Sequence, residues 1–282
     1  MKKKKIFICF SVLIIIVLFL YSQNNFIGVT SIELELDRLP QSFDGLKIVQ
    51  LSDLHSKMFG DNQHALVSRV KKANPDIIFF TGDLVDSEHY KEQPGLKLME
   101  QIVKIAPVYY VTGNHEFWSG RFSSLEKKLQ ECGVKILRNT RDSVEKNGEV
   151  IDVIGVDDPA ANSSQQNNDD GEFVSNEIQK ALEGNEKENF TILLSHRPEL
   201  LPTYANFNLD LIFSGHAHGG QVRLPFIGGV IAPNQGILPK YTSGKHKLES
   251  SIMIVGRGLG NSIIPQRIFN RPEVVVVKLI KK

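Results

Sequence analysis

The sequence predicts a layered α/β protein with sheet packed between helices, and three observations carry that expectation. Short β-rich runs alternate with segments of helical periodicity. One run, Asp76 to Thr81 (DIIFFT), is apolar on both parities, as a strand buried on both faces requires. Nothing between residues 30 and 282 reads as an interdomain linker, so that stretch is expected to be one domain. Hydrophobic residues make up 41% and charged residues 23%, which excludes a disordered chain, a collagen-like repeat and a multi-pass membrane protein.

The elements follow in order. Lys47–Ser52 (KIVQLS) is a strand ending at Asp53. Leu66, Val70 and Ala73 put one apolar stripe on a helix over residues 63–73. After the strand at 76–81, Gln93–Ala106 reads as a helix and Val108–Thr112 as the next buried strand. Phe122–Cys132 is helical, with Gly133 ending it. Val134–Arg138 and Val150–Val156 are strands, the second preceded by the turn Lys146-Asn147-Gly148. Residues 157–170 (DDPAANSSQQNNDD) lack any large apolar side chain and read as a solvated loop. A helix near 172–182, strands Phe190–Ser195 and Asp210–Ser214, and β-rich segments 252–256 and 273–279 complete the order.

The N-terminus bears on the compartment. Lys2 to Lys5 precede Ile6–Tyr21, an uncharged apolar run of about 24 Å as a helix, a little short of a hydrocarbon core. Tyr21-Ser22-Gln23-Asn24-Asn25 offers no small-x-small cleavage site, so a retained signal-anchor is expected rather than a cleaved signal peptide. Positive charge on its N-terminal side puts the tail inside and residues 30–282 outside: a single-pass cell-membrane protein with an extracytoplasmic domain. Residues 1–29 are thus tail, transmembrane segment (about 6–21) and spacer. Without the four leading lysines the remainder is mildly acidic, so no nucleic-acid partner is expected.

Five motifs stand at strand ends, where loops of an open α/β sheet gather ligands. They are Asp53-Leu54-His55, Gly82-Asp83-Leu84-Val85-Asp86, Gly113-Asn114-His115-Glu116, Ser195-His196 and Gly215-His216-Ala217-His218. The i, i+2 spacing of Asp53 with His55, and of His216 with His218, points each pair to one side of an extended backbone. Carboxylates and imidazoles without thiolate suit hard or borderline divalent metals. There are more ligands than one metal can hold, so two ions are expected, with Asp83 as the bridging carboxylate. Asn114 adds a neutral oxygen, and His115, one residue on, points toward substrate as the catalytic acid or transition-state stabiliser. Five of the eight histidines fall in these motifs, which a set of unrelated structural roles does not explain; His64, His89 and His246 read as ordinary.

This order of motifs resembles the calcineurin-like metallophosphoesterase superfamily, with all five blocks filled between Asp53 and His218. The resemblance implies a β-sandwich flanked by helices and a centre of two divalent metals (Mn, Fe or Zn). Asp53, His55, Asp83 and His218 would hold one ion; Asp83, Asn114, His196 and His216 the other; His115 would be the catalytic histidine. Glu116 stands where aspartate is commoner, which leaves the orientation of His115 open. Asp86 is expected to be supportive and not a ligand. Gly219–Pro225, Gly258-Leu259-Gly260, Pro265, Arg267 and Pro272-Glu273 are similar to the membrane-associated bacterial YaeI/YkuE-like branch, although this N-terminus has lysines and no twin arginine. That branch implies a phosphodiester or pyrophosphate substrate, a phosphorylated small molecule or a lipid-linked one. The alternatives are a phosphomonoesterase or nuclease with the same metals, or a non-catalytic scaffold. Arg223 and Arg267 read as solvated or salt-bridged arginines, with phosphate contact as the second reading. Leu224-Pro225-Phe226-Ile227 reads as core packing, or else as an apolar contact for a lipid tail or the membrane.

Overall fold

Three apolar layers organise the chain, and the parity of its buried strands shows how. The computed structural model describes residues 2–162, 169–184, 189–261 and 264–282. It begins with helix α1 (Lys2–Asn25) and strands β1 (Gly28–Leu36) and β2 (Lys47–Leu51). Helix α2 (His64–Ala73), β3 (Ile77–Thr81), α3 (Gln93–Ile102) and β4 (Val108–Val111) come next. The short α4 (Asn114–Trp118), α5 (Phe122–Glu131) and β5 (Lys135–Ile136) close the first half. The second contains β6 (Thr140–Lys146), β7 (Glu149–Gly155), α6 (Asp170–Ala181), β8 (Phe190–Leu194), α7 (Leu201–Ala205) and β9 (Leu211–Ser214). Two small hairpins, β10 (Arg223–Leu224) with β11 (Gly228–Gly229) and β12 (Ile231–Ala232) with β13 (Gly236–Ile237), precede β14 (Gly244–Leu248), β15 (Ser251–Val255) and β16 (Glu273–Lys281).

Two six-stranded sheets result, in the orders β1-β16-β2-β3-β4-β5 and β14-β15-β9-β8-β7-β6. On β3, Ile77 and Phe79 join Phe213 and Ile192 of the other sheet in the layer between the sheets. Ile78 and Phe80 turn the opposite way, to α2, α3 and α5. On the second sheet Leu193 and Ile212 face α6 and α7. The expected layered sandwich flanked by helices is therefore present, and the uniformly apolar runs are its central strands.

Boundaries moved where local geometry intervened. Helix α3 stops at Ile102, and residues 103–105 turn before β4. Gly133, at φ +91°, ends α5 as expected. The reading of 157–170 as a solvated loop is corrected at both ends. Asp157 and Asp158 are buried, held by Arg138 and Arg197, and Pro159–Asn162 form a 3-10 turn. Asp169 caps α6 by accepting from Gly171 N–H, and residues 163–168 of that loop lie outside the described residues.

Among the described residues, α1 is the helix long and apolar enough to cross a membrane. It overruns Ile6–Tyr21 at both ends, and its 24 residues span about 36 Å.

Candidate metal centre

Parallel pairing of β2 with β3 and β3 with β4, and of β8 with β9, brings the ends of five strands to one edge of the sandwich. Asp53 and His55 follow β2, Asp83 follows β3, Asn114 and His115 open α4 after β4, His196 follows β8, and His216 and His218 follow β9. The two sheets are tied at this edge. Gln50 donates to Thr81 Oγ1 and to the Ser214 carbonyl, and the His216 N–H donates to the Asp53 carboxylate at 3.0 Å. Leu259 N–H, donating to the Ser52 carbonyl at 3.0 Å, clamps the loop that carries Asp53.

The expectation of extended backbone at these pairs is corrected. Asp53, His55, Asp83, His216 and His218 all lie in the left-handed region, with φ of 52°, 46°, 55°, 65° and 47°. Side chains with a Cβ pay for that conformation, and such strain collects at functional sites. Two glycines make the crowding feasible. A Cβ on Gly82 (φ +89°) would lie 2.5 Å from His196 Nδ1, and one on Gly113 would strike the Asp83 carboxylate.

The side chains converge in two clusters that share Asp83. Asp53, His55, Asp83 and His218 bring one donor atom each within 4.8 Å of one another, as do Asp83, His196 and His216. His55 Nε2 is 3.5 Å, and His196 Nε2 3.1 Å, from Asp83 Oδ2. His55 and His218 face each other Nε2 to Nε2 at 3.0 Å. His196 Nδ1 donates to the Thr81 carbonyl at 2.7 Å, which turns Nε2 toward Asp83.

The electrostatics ask for positive charge here. Burial works against ionising Asp83, but His196, His55 and His115 together outweigh it and hold the carboxyl well below its usual range. Burial opposes charge on His196 too, yet Asp83 lifts it to about 10. Burial, then His196, presses His216 down to about 3, and burial, then His55, keeps His218 well below 6.5. A cationic His196 thus meets a need that a divalent cation would meet better. Asn114 Oδ1 is buried with no hydrogen-bond partner, a cost that a cation would remove. Oxygen and imidazole donors of this kind fit a divalent metal.

Three neighbours prepare the loops. Glu116 accepts from the N–H groups of Gly113, Asp83 and Leu84 at 2.7, 2.9 and 2.9 Å, so it pins the Asp83 loop. The longer side chain in the commoner aspartate's place thereby finds its use. His115 is oriented by the Ser87 N–H, which donates to Nδ1 at 3.0 Å. Its neutral form then carries its proton on Nε2. The His115 ring meets that of His55 edge-on at 4.5 Å. Asp86 stands 3.6 Å from His55 Nδ1, outside both clusters that contain Asp83.

Sequence patterns gave no sign of several participants. Asn234 Oδ1 lies 3.0 Å from His216 Nε2, and Glu199 lies 3.9 Å from the same atom. The reading of Arg267 as solvated or salt-bridged is corrected. It is fully buried, donating to the carbonyls of Gly260 and Arg257, with Nη2 3.3 Å from His218 Nδ1. Arg223 donates to the Gly219 carbonyl and Thr242 Oγ1.

Comparison with known proteins agrees with this geometry. Residues 46–220 match the family model for calcineurin-like phosphoesterase. The chain is 30% identical to the uncharacterized metallophosphoesterase YkuE of Bacillus subtilis, over 92% of its own length and 87% of that protein. It is 31% identical to a transmembrane protein with metallophosphoesterase domain from Bos taurus, covering 88% of this chain but 56% of that one. Among solved structures, the Thermus thermophilus sulfate thiohydrolase SoxB has the same fold, with a TM-score of 0.50 at 14% identity over 86% of this chain and 57% of that one. With all five motif loops converging on one buried, cation-seeking centre, the chain belongs to the calcineurin-like phosphoesterase family, in its YkuE-like branch, and is a metal-dependent phosphoester hydrolase.

Proposed function

We propose that the chain hydrolyses a phosphodiester, or a pyrophosphate, with two divalent cations of the Mn, Fe or Zn kind. Asp53, His55, Asp83 and His218 hold one; Asp83, Asn114, His196 and His216 hold the other. The observation that supports this reading above the rest is the position of Asp83, with one oxygen within 3.5 Å of a histidine from each cluster. Bound cations of this kind acidify coordinated water and draw charge from a phosphoryl oxygen.

The chain's own groups do the rest. The Asp83 backbone is fixed by Glu116, so its carboxylate keeps its aim. Asn114 brings an oxygen without charge, which leaves the centre able to accept an anionic phosphate. His115, kept neutral by burial and protonated on Nε2, donates that proton to the departing oxygen. We further read residues 1–29 as tail, signal-anchor and spacer, and 30–282 as the hydrolase domain, held outside the cell membrane and acting on an envelope or lipid-linked phosphate. The test is metal analysis of the purified full chain, with turnover of bis(p-nitrophenyl) phosphate against p-nitrophenyl phosphate in Mn and Zn. Two metal equivalents and preference for the diester are expected; a metal-independent rate sinks the proposal.

A further inference from the structure

Between Arg223 and Lys240 the chain carries no charged side chain, and much of what it carries faces outward. Phe226, at the tip of the β10–β11 hairpin, is fully exposed, and Ile237 and Leu238 beside the second hairpin are 78% and 64% exposed. Phe226 and Leu238 also have positive φ, 69° and 55°. Bulky side chains held in that region are true outliers, and here the strain displays apolar groups to solvent. Neither packing nor the metal centre uses them.

Contacts lead from this patch to α1. Val230 N–H donates to the Val222 carbonyl at 2.8 Å, and Leu238 N–H to that of Val230 at 2.9 Å. Val222 in turn pairs with Ile268, whose neighbour Phe269 meets Phe19 of α1 at 5.3 Å between rings. The foot of α1 is fastened to the same segment. Gln266 donates to the Leu20 carbonyl at 3.1 Å, and the Arg267 N–H to Asn24 Oδ1 at 2.9 Å. Phe19 lies within the apolar run Ile6–Tyr21, about 3 Å before its end. A bilayer that contains this run must therefore reach the level of Phe269 and of the strands paired beside it.

We infer that the hairpins from Leu224 to Pro239, with Phe269, form a surface that rests on the bilayer entered by α1, with Phe226 and Leu238 dipping into its interface. An exposed apolar patch of this kind, continuous with a spanning helix, is matched by the acyl–headgroup boundary. Lys240, exposed at the end of the uncharged run, suits the headgroup level. The same loop carries Asn234, in contact with His216. The metal centre consequently lies beside the membrane surface, a position that suits the lipid-linked phosphate of the proposed function. This inference rests on reading α1 as a membrane anchor.

The experiment uses the full chain in phosphatidylcholine/phosphatidylglycerol vesicles, with Cys9→Ser and Cys132→Ser. Single cysteines, Phe226→Cys, Leu238→Cys, Leu13→Cys and Glu145→Cys, each carry an environment-sensitive fluorophore. Nitroxide-labelled lipid is expected to remove most of the fluorescence at 226, 238 and 13 and to spare 145, while aqueous iodide does the reverse. Labels at 226 and 238 that behave like 145 while 13 stays lipid-quenched overturn the surface and leave the anchor standing. A label at 13 that is open to iodide overturns the anchor and the inference together. Labels at 226 and 238 shielded from iodide but untouched by lipid nitroxide mean a protein covers the patch, which also overturns it. Either of the two patch labels suffices if the other variant misfolds.

Discussion

The backbone N–H of Ser87 points at Nδ1 of His115 from 3.0 Å, and this contact decides where the histidine keeps its proton. A peptide N–H can only donate, so Nδ1 accepts, and the neutral ring is protonated at Nε2. A residue just past the second aspartate of its motif thus sets the tautomer of the histidine proposed as the acid.

His115→Ala should lower kcat on a phosphodiester with a poor, alkyl leaving group by about 10²- to 10⁴-fold, the range for a positioned general acid. The ring lies outside both clusters that contain Asp83 but shares a third group with His55 and Asp86, so metal content measured on the same variant separates a lost acid from a lost ligand. A substrate with a much better leaving group should recover much of the loss, and the comparison of the two rates is the measurement.

Asp83→Ala should empty both cation positions and abolish turnover, since one carboxylate faces the histidines of both clusters. His55→Ala should cost one position at most. Metal analysis by mass spectrometry on the two variants distinguishes a shared carboxylate from a private one.

Metal loading should depend on pH in a definite direction. Burial opposes protonation of His196, but Asp83 raises it from 6.5 to about 10 in the metal-free chain. The stability from this ion pair is complete below about pH 6.5 and disappears as pH rises through about 10. A cation must displace that proton, so its affinity should climb across the same interval. Thermal denaturation of chelated protein and manganese titrations, both from pH 6 to 10, read the two slopes. A metal affinity that falls with pH contradicts the assignment.

Glu116→Ala should leave the N–H groups of Gly113, Asp83 and Leu84 without their acceptor. Each orphaned buried donor costs about 1–3 kcal/mol, so the melting temperature should fall clearly. Weaker metal binding should accompany it as the Asp83 loop loosens. Glu116→Gln, which keeps one acceptor oxygen, should fall between wild type and alanine.

Much of the fold was legible in the chain because its central strands are buried on both sides. Ile77–Thr81 and Phe190–Leu194 are apolar apart from one threonine each, and such runs announce themselves. Strand β6 escaped because it lies at a sheet edge and exposes most of TRDSVEK to water. β1, also at an edge, has every second residue half-buried at most over its first half, and no continuous apolar run marks it. Asp157 and Asp158 looked like loop residues because their partners, Arg138 and Arg197, are distant in sequence.

The amino-acid order alone determined which residues could take part in the chemistry: carboxylates, imidazoles and one amide, spaced at strand ends, with an apolar N-terminal helix ahead of them. Only the tertiary structure decided how they are used. The left-handed turns at Asp53, Asp83 and His216, the Ser87 contact to His115 and the buried Arg267 behind His218 join groups that are far apart along the chain or depend on φ. Local spacing encodes which way a side chain can point on a regular strand. It carries no record of the strained turns and cross-sheet hydrogen bonds that form once two sheets pack face to face.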